Sequence, residues 1–173
     1  MNLGRLRRIA AQYNQNTAFH YSRELLGKME TMRRMLLLIL LLGLVGIGAE
    51  LLLLEHTEGV WQRVPVGLIL MSLIVLAWHA GGGSAMSLRV FRGTMILFLL
   101  SGLTGLVLHY RGNMEFELEM YPTRTGWELF RESMMGATPA LSPGTMLLLG
   151  LLGLTYTYRH PVLTGLTETF EGD

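Results

Sequence analysis

Four stretches with almost no charge, residues 35–54, 64–80, 94–108 and 141–158, limit what this chain can become more than any other feature of it. The first is about 20 residues long, and at ~1.5 Å of rise per residue a helix of that length crosses a hydrocarbon core of ~30 Å. The others approach that length once their flanks are added. Lipid offers no water to peptide groups, so each stretch must pair its own N–H and C=O groups, which a helix does. The expected fold class is an all-α membrane protein, a bundle of four transmembrane helices.

Composition agrees. Half of the residues are hydrophobic and only 16% are charged, with a mean hydropathy of +0.38, far from a soluble domain. Cysteine is absent, which excludes disulfides, thiolate metal sites, cysteine-ligated iron–sulfur clusters and cysteine nucleophiles. The first apolar run begins only at Met35, behind a long polar arm, so a retained span is expected and not a cleaved signal peptide.

Four spans put both termini on one side, and the basic residues choose which. Arg5, Arg7, Arg8, Arg23, Lys28, Arg33 and Arg34 precede the first span, Arg89 and Arg92 lie between the second and third, and Arg159 follows the fourth. Only Arg63, Arg111, Arg124 and Arg131 fall on the opposite side. The positive-inside rule therefore places both termini in the cytoplasm, as in a multi-pass bacterial inner-membrane protein. The expected organisation is a basic cytoplasmic arm over 1–34, a transmembrane domain over 35–160 that includes an outer loop at 110–140, and a short acidic cytoplasmic tail over 161–173. Within the arm, Leu3, Leu6, Ile9 and Ala10 recur at helical spacing beside Arg5, Arg7 and Arg8, a pattern for a basic amphipathic helix on an anionic membrane surface. The polar run 12–17 reads as a break after it.

Glycines recur three apart in the spans, at Gly43 and Gly46, Gly102 and Gly105, and Gly150 and Gly153. Small residues let helices approach closely in lipid, so these six are the expected packing positions. The third and fourth spans also share a pattern: Gly93-Thr94-Met95 matches Gly144-Thr145-Met146, and Gly102-Leu103-Thr104 matches Gly153-Leu154-Thr155 at the same offset. In the outer loop, Glu115, Glu117 and Glu119 alternate with Phe116, Leu118 and Met120, the period of an extended segment with one acidic and one apolar face. After Pro122, Thr125 and Glu128 form a capping-box pattern ahead of Trp127, Leu129, Phe130, Met134 and Met135, which predicts a short amphipathic helix. Ser142-Pro143 then reads as the start of the last span. The acidic face together with Trp127, Phe130 and Met134 forms a candidate partner-binding surface.

Glu50 is the one carboxylate inside a span, and it needs a proton, a partner or a watery recess. With His56, His109 and Glu115 it makes a candidate divalent-cation site, though the spacing is unlike a compact metal motif. Each span also ends near a histidine. Alternation brings His56 and His109 to one side of the membrane and His79 and His160 to the other, the disposition that axial ligation of b-type haem would need. Histidines at helix ends beside Trp78, Tyr110 or Tyr158 equally mark the lipid boundary. No nucleophile, glycine-rich phosphate cradle or paired acid and base is identifiable.

The leading expectation is a non-catalytic accessory or scaffold subunit that contacts the bilayer and other integral membrane proteins, or copies of itself, with no nucleic acid involved. A small transporter or cation-handling protein using Glu50, His56 and His109 is the second, and a b-type haem electron carrier the third.

Overall fold

The computed structural model describes residues 3–136 and 138–164, with side chains from Tyr13 onward except Asn14 and Asn16. It is all-helical: α1 Leu3–Leu53, α2 Val60–Gly82, α3 Ala85–Met120, α4 Gly126–Met134, α5 Gly144–Thr157 and α6 Pro161–Thr164. Stretches of α1, α2 and α3 are long and apolar enough to cross a membrane; α5 is apolar but has 14 residues. Large apolar side chains such as Leu38, Leu42, Ile74, Val107 and Leu148 are more than half exposed on the outside of the bundle. Such a surface suits lipid and not water.

The helices pack in a ring, α1 against α2, α2 against α3, α3 against α5 and α5 against α1, which sets α1 diagonally opposite α3 and α2 opposite α5. One end of this bundle carries the N-terminal arm and α6, the other the 54–59 turn and α4. The tightest seam joins α3 and α5. A Cβ added at Gly105 would lie 2.7 Å from Pro143, at Gly102 2.8 Å from Leu147, and at Gly150 2.9 Å from the Met95 carbonyl, while one at Gly153 would overlap the Met95 side chain. The partners step in opposite directions along the two chains, the signature of antiparallel neighbours. Of the repeated pattern of the third and fourth spans, Gly93 and Gly144 meet nothing within 4 Å, while the Gly102 and Gly153 positions pack in this seam. Gly43 meets Leu149 in the same way, but Gly46 faces open space and is no packing position in this bundle.

Three local expectations are corrected. Residues 12–17 continue α1 without a break, since no proline or glycine interrupts them and the Thr17 hydroxyl returns to the Tyr13 carbonyl at 2.9 Å. The Lys28–Glu24 and Arg34–Glu30 pairs, each four residues apart, add modest support further along. The face made by Leu3, Leu6 and Ile9 lies outside the described side chains, and the tail beyond Thr164 outside the described residues. Residues 114–121, read as extended, instead complete α3 as far as Met120, with Tyr121 as its cap. Glu, Leu and Met favour helix intrinsically, and the alternation fell on a helix that runs out of the bundle, where no neighbouring strand rewards a two-residue period. Pro122 then ends it. Finally, Ser142 and Pro143 form a turn ahead of α5, with the Ser142 carbonyl accepting from the Thr145 amide at 3.1 Å, so the regular helix starts only at Gly144.

The short helix α4 is present where the sequence placed it, but Thr125 makes no side-chain cap. Glu128 turns instead to Arg124, 3.4 Å away, and Arg124 also pairs with Glu117. The connection that follows is tied down by Asn113, a buried residue on α3. Its amide nitrogen donates to the Ser133 and Thr138 carbonyls at 2.9 and 2.6 Å, and its oxygen accepts from the Thr138 amide at 3.2 Å.

Candidate functional site

In the half of the bundle nearest α4, the four helices do not close. They leave a partly open cavity of about 790 Å³ bounded by Ile47 and Leu51 of α1, Trp61 and Leu68 of α2, Leu97 and Leu108 of α3, and Pro143 and Met146 near the start of α5. That size falls within the ~300–1,000 Å³ of small-molecule and cofactor sites. Local sequence explains the opening. Pro65, on the wall, cannot supply the amide that would bond the Trp61 carbonyl. On α3, small residues Ser101, Thr104, Gly105 and Gly112 replace the phenylalanines of the preceding turns, and a Cβ at Gly112 would meet nothing within 4 Å.

Three candidate residues named from the sequence line this one cavity: Glu50, His56 and His109. Glu115 does not; it is exposed on α3. Among the described residues no three His, Cys, Asp or Glu side chains are grouped closely enough to hold a metal ion. What the fold does bring together is the two imidazoles, with ring centres 6.4 Å apart and planes inclined by 48°. His56 comes from the turn after α1 and His109 from α3, so the pair meets across the bundle diagonal.

The hydrogen bonds of His109 fix which nitrogen is free. Nδ1 lies 3.2 Å from the Pro139 carbonyl. A carbonyl only accepts, so Nδ1 donates, and in the neutral ring Nε2 keeps its lone pair. An outer hydrogen bond of this kind is what orients metal-ligating histidines. Burial holds the pKa of His56 below its ordinary value, and the neighbouring His109 adds to that effect. Two imidazoles bound on opposite sides of one iron, each nitrogen ~2 Å from the metal, have ring centres roughly 6 Å apart. The 6.4 Å between these two ring centres matches that spacing.

The second pair forms at the other end of the bundle, His79 with His160, ring centres 5.7 Å apart and nearly perpendicular at 79°. Both cross-bundle pairings implied by alternation along the chain are therefore present. The partner-surface residues divide. Trp127 and Phe130 stack at 5.3 Å and are exposed, Met134 is half-buried, Glu115 and Glu119 are exposed, and Glu117 is occupied by Arg124. Asn113 and Gly136, whose Cβ would lie 2.7 Å from the Asn113 side chain, are structural anchors of the connection after α4 that the sequence does not advertise; a lone Asn in a helical stretch is the available signal.

No protein family, curated protein or solved structure gives a match to this chain.

Proposed function

We infer that this chain is a membrane electron carrier that binds b-type haem between His56 and His109. The single observation that carries the reading is the pairing of these two imidazoles on the wall of one large cavity, with His109 Nε2 free. Bound there, the haem iron would take up and release one electron. The chain's own part is to supply two neutral nitrogens, orient one of them through Pro139, exclude water with apolar walls, and keep a carboxylate, Glu50, beside the site.

In this reading α5 with its flanking turns is a fourth span, both termini are cytoplasmic by the charge count, and the haem lies near the periplasmic face of a bacterial inner membrane. The accessory-subunit reading retains one surface, the exposed Trp127–Phe130 stack, which would serve as contact area if the carrier works inside a larger complex. The cation-handling reading has the shared cavity in its favour but lacks three converging donors among the described residues.

The test is an absorption spectrum. Full-length protein, purified in mild detergent and supplied with haemin, should give a reduced-minus-oxidised spectrum of the b type, lost in His109→Ala and His56→Ala variants that remain folded by circular dichroism. Protein that stays colourless under those conditions, or that colours equally in both variants, would overturn the assignment.

A further inference from the structure

At the arm end, the outer surface of the bundle is broken by a groove of about 300 Å³ between α1 and α2. Leu37 and Leu41 line one bank, and Leu73, Ala77 and Ala80 the other. Its origin is local: near its end α2 turns two alanines towards α1, and their side chains are too short to fill the gap between the helices. Tyr156 of α5 is the floor. It is buried, and its ring stands nearly perpendicular to that of Phe91 with centres 6.3 Å apart; the volume is free with this ring in place. From Leu73 to Ala80 the bank advances seven residues, ~10 Å of helix axis and about a third of a ~30 Å hydrocarbon core. A length of acyl chain suits such a groove.

The mouth of the groove carries charge. Arg33 precedes Leu37 and Leu41 by one and two helical turns, so it stands on the same face of α1, half-buried where its neighbour Arg34 is exposed. Its guanidinium donates to the Arg159 carbonyl at 2.8 Å, which uses one of five N–H donors. Among the described residues it pairs with no carboxylate, and Glu30 of the same helix is engaged by Arg34 at 3.1 Å. Its charge is felt at His160, whose pKa is lowered by burial first and by Arg33 next. His79 closes the α2 side of the mouth, with Nδ1 2.8 Å from the Ser87 hydroxyl oxygen.

We propose that one acyl chain of an anionic phospholipid lies in this groove, with the lipid phosphate held by Arg33 at its mouth. The planar guanidinium fork suits a phosphate, which it binds through parallel charge-assisted hydrogen bonds. Basic pockets at the ends of membrane helices are where anionic headgroups bind in general. The bilayer that bathes the rest of the apolar surface supplies the ligand directly. This site lies at the opposite end of the bundle from His56 and His109 and does not depend on haem.

The experiment is native mass spectrometry of the full-length protein in mild detergent, titrated with phosphatidylglycerol and, separately, with phosphatidylcholine carrying the same chains. Wild type should retain one phosphatidylglycerol per chain, bound about tenfold more tightly than phosphatidylcholine, the ratio that one charge-assisted contact supplies. Arg33→Gln should erase that preference and Arg33→Lys should keep part of it. Arg34→Gln, at a side chain already paired with Glu30, should leave it unchanged. Ala77→Phe, which fills the groove from its α2 bank, should weaken the binding of both lipids. Equal affinity for the two lipids in wild type, or a preference that survives Arg33→Gln, would overturn the headgroup assignment. Lipid retained undiminished by Ala77→Phe would overturn the groove. A preference that appears only after Glu168, Glu171 and Asp173 are neutralised would make the acidic tail the partner of Arg33 and overturn the proposal as well.

Discussion

The two halves of the bundle use the same four helices and pack them to opposite ends. Towards the arm, Leu40, Leu44, Leu88, Phe91, Met95 and Phe98 are wholly buried; towards α4 the helices leave a partly open space of about 790 Å³. The difference traces to α3. Its first turns contribute two phenylalanines and a methionine to the axis, and its later turns contribute Ser101, Thr104 and Gly112 to the cavity wall. A bundle whose association in lipid relies on contact and not on a hydrophobic drive can be dense where side chains meet glycines, and open where small residues meet none. Packing is therefore concentrated in one half, and the other is free to hold a ligand.

The sharpest way to break that contrast is to enlarge a seam glycine. Gly150→Val drives its side chain into the Met95 carbonyl and should cost about 3 kcal/mol or more, read as a fall in the unfolding midpoint in detergent. Gly46→Ala, with nothing within 4 Å of the new methyl, should be neutral or stabilising by up to ~1 kcal/mol. A large loss there would show a packed surface at Gly46 that the bundle does not supply.

Next in size is Asn113→Ala. It strips partners from two carbonyls and one amide and should destabilise the connection after α4 by about 1–3 kcal/mol. Hydrogen exchange should rise across 121–140 while the α3–α5 seam stays protected; a uniform rise would mean the two halves are not separable.

Glu50→Gln tests the cavity without disturbing packing. With haem bound between His56 and His109 as proposed, replacing a carboxylate by a neutral amide makes the ferric state less favourable, so the midpoint potential should rise by roughly tens of millivolts on Coulomb grounds. No change in a potentiometric titration would place Glu50 outside the field of the haem.

The smallest effect is on pH. His56 and His160 both have depressed pKa values, so the unfolded chain binds more protons than the folded one below about pH 6.5. Stability should be fully present above that range and fall on acidification, and His160→Gln should flatten part of the slope in thermal unfolding of the haem-free protein.

Much of this is legible in the residues themselves. The three long spans and the fourth apolar helix follow from hydropathy, and the two histidine pairs from the alternation of helix ends. The seam glycines are visible as a class, but not that Gly46 points away, since facing depends on how the helices rotate in the bundle. The acidic alternation at 114–120 misleads because a two-residue period in Glu, Leu and Met is also compatible with helix. The cavity is invisible, because it depends on small residues of one helix lying opposite Pro65 and the Pro139–Pro143 turn of others.

The most direct test of the central claim is the low-temperature electron paramagnetic resonance spectrum of the oxidised, haem-loaded protein. The account predicts a low-spin ferric signal from bis-imidazole ligation, with a high-spin component appearing in the His109→Ala variant. A wild-type spectrum that is wholly high-spin, or a low-spin signal indifferent to His56 and His109, would contradict it.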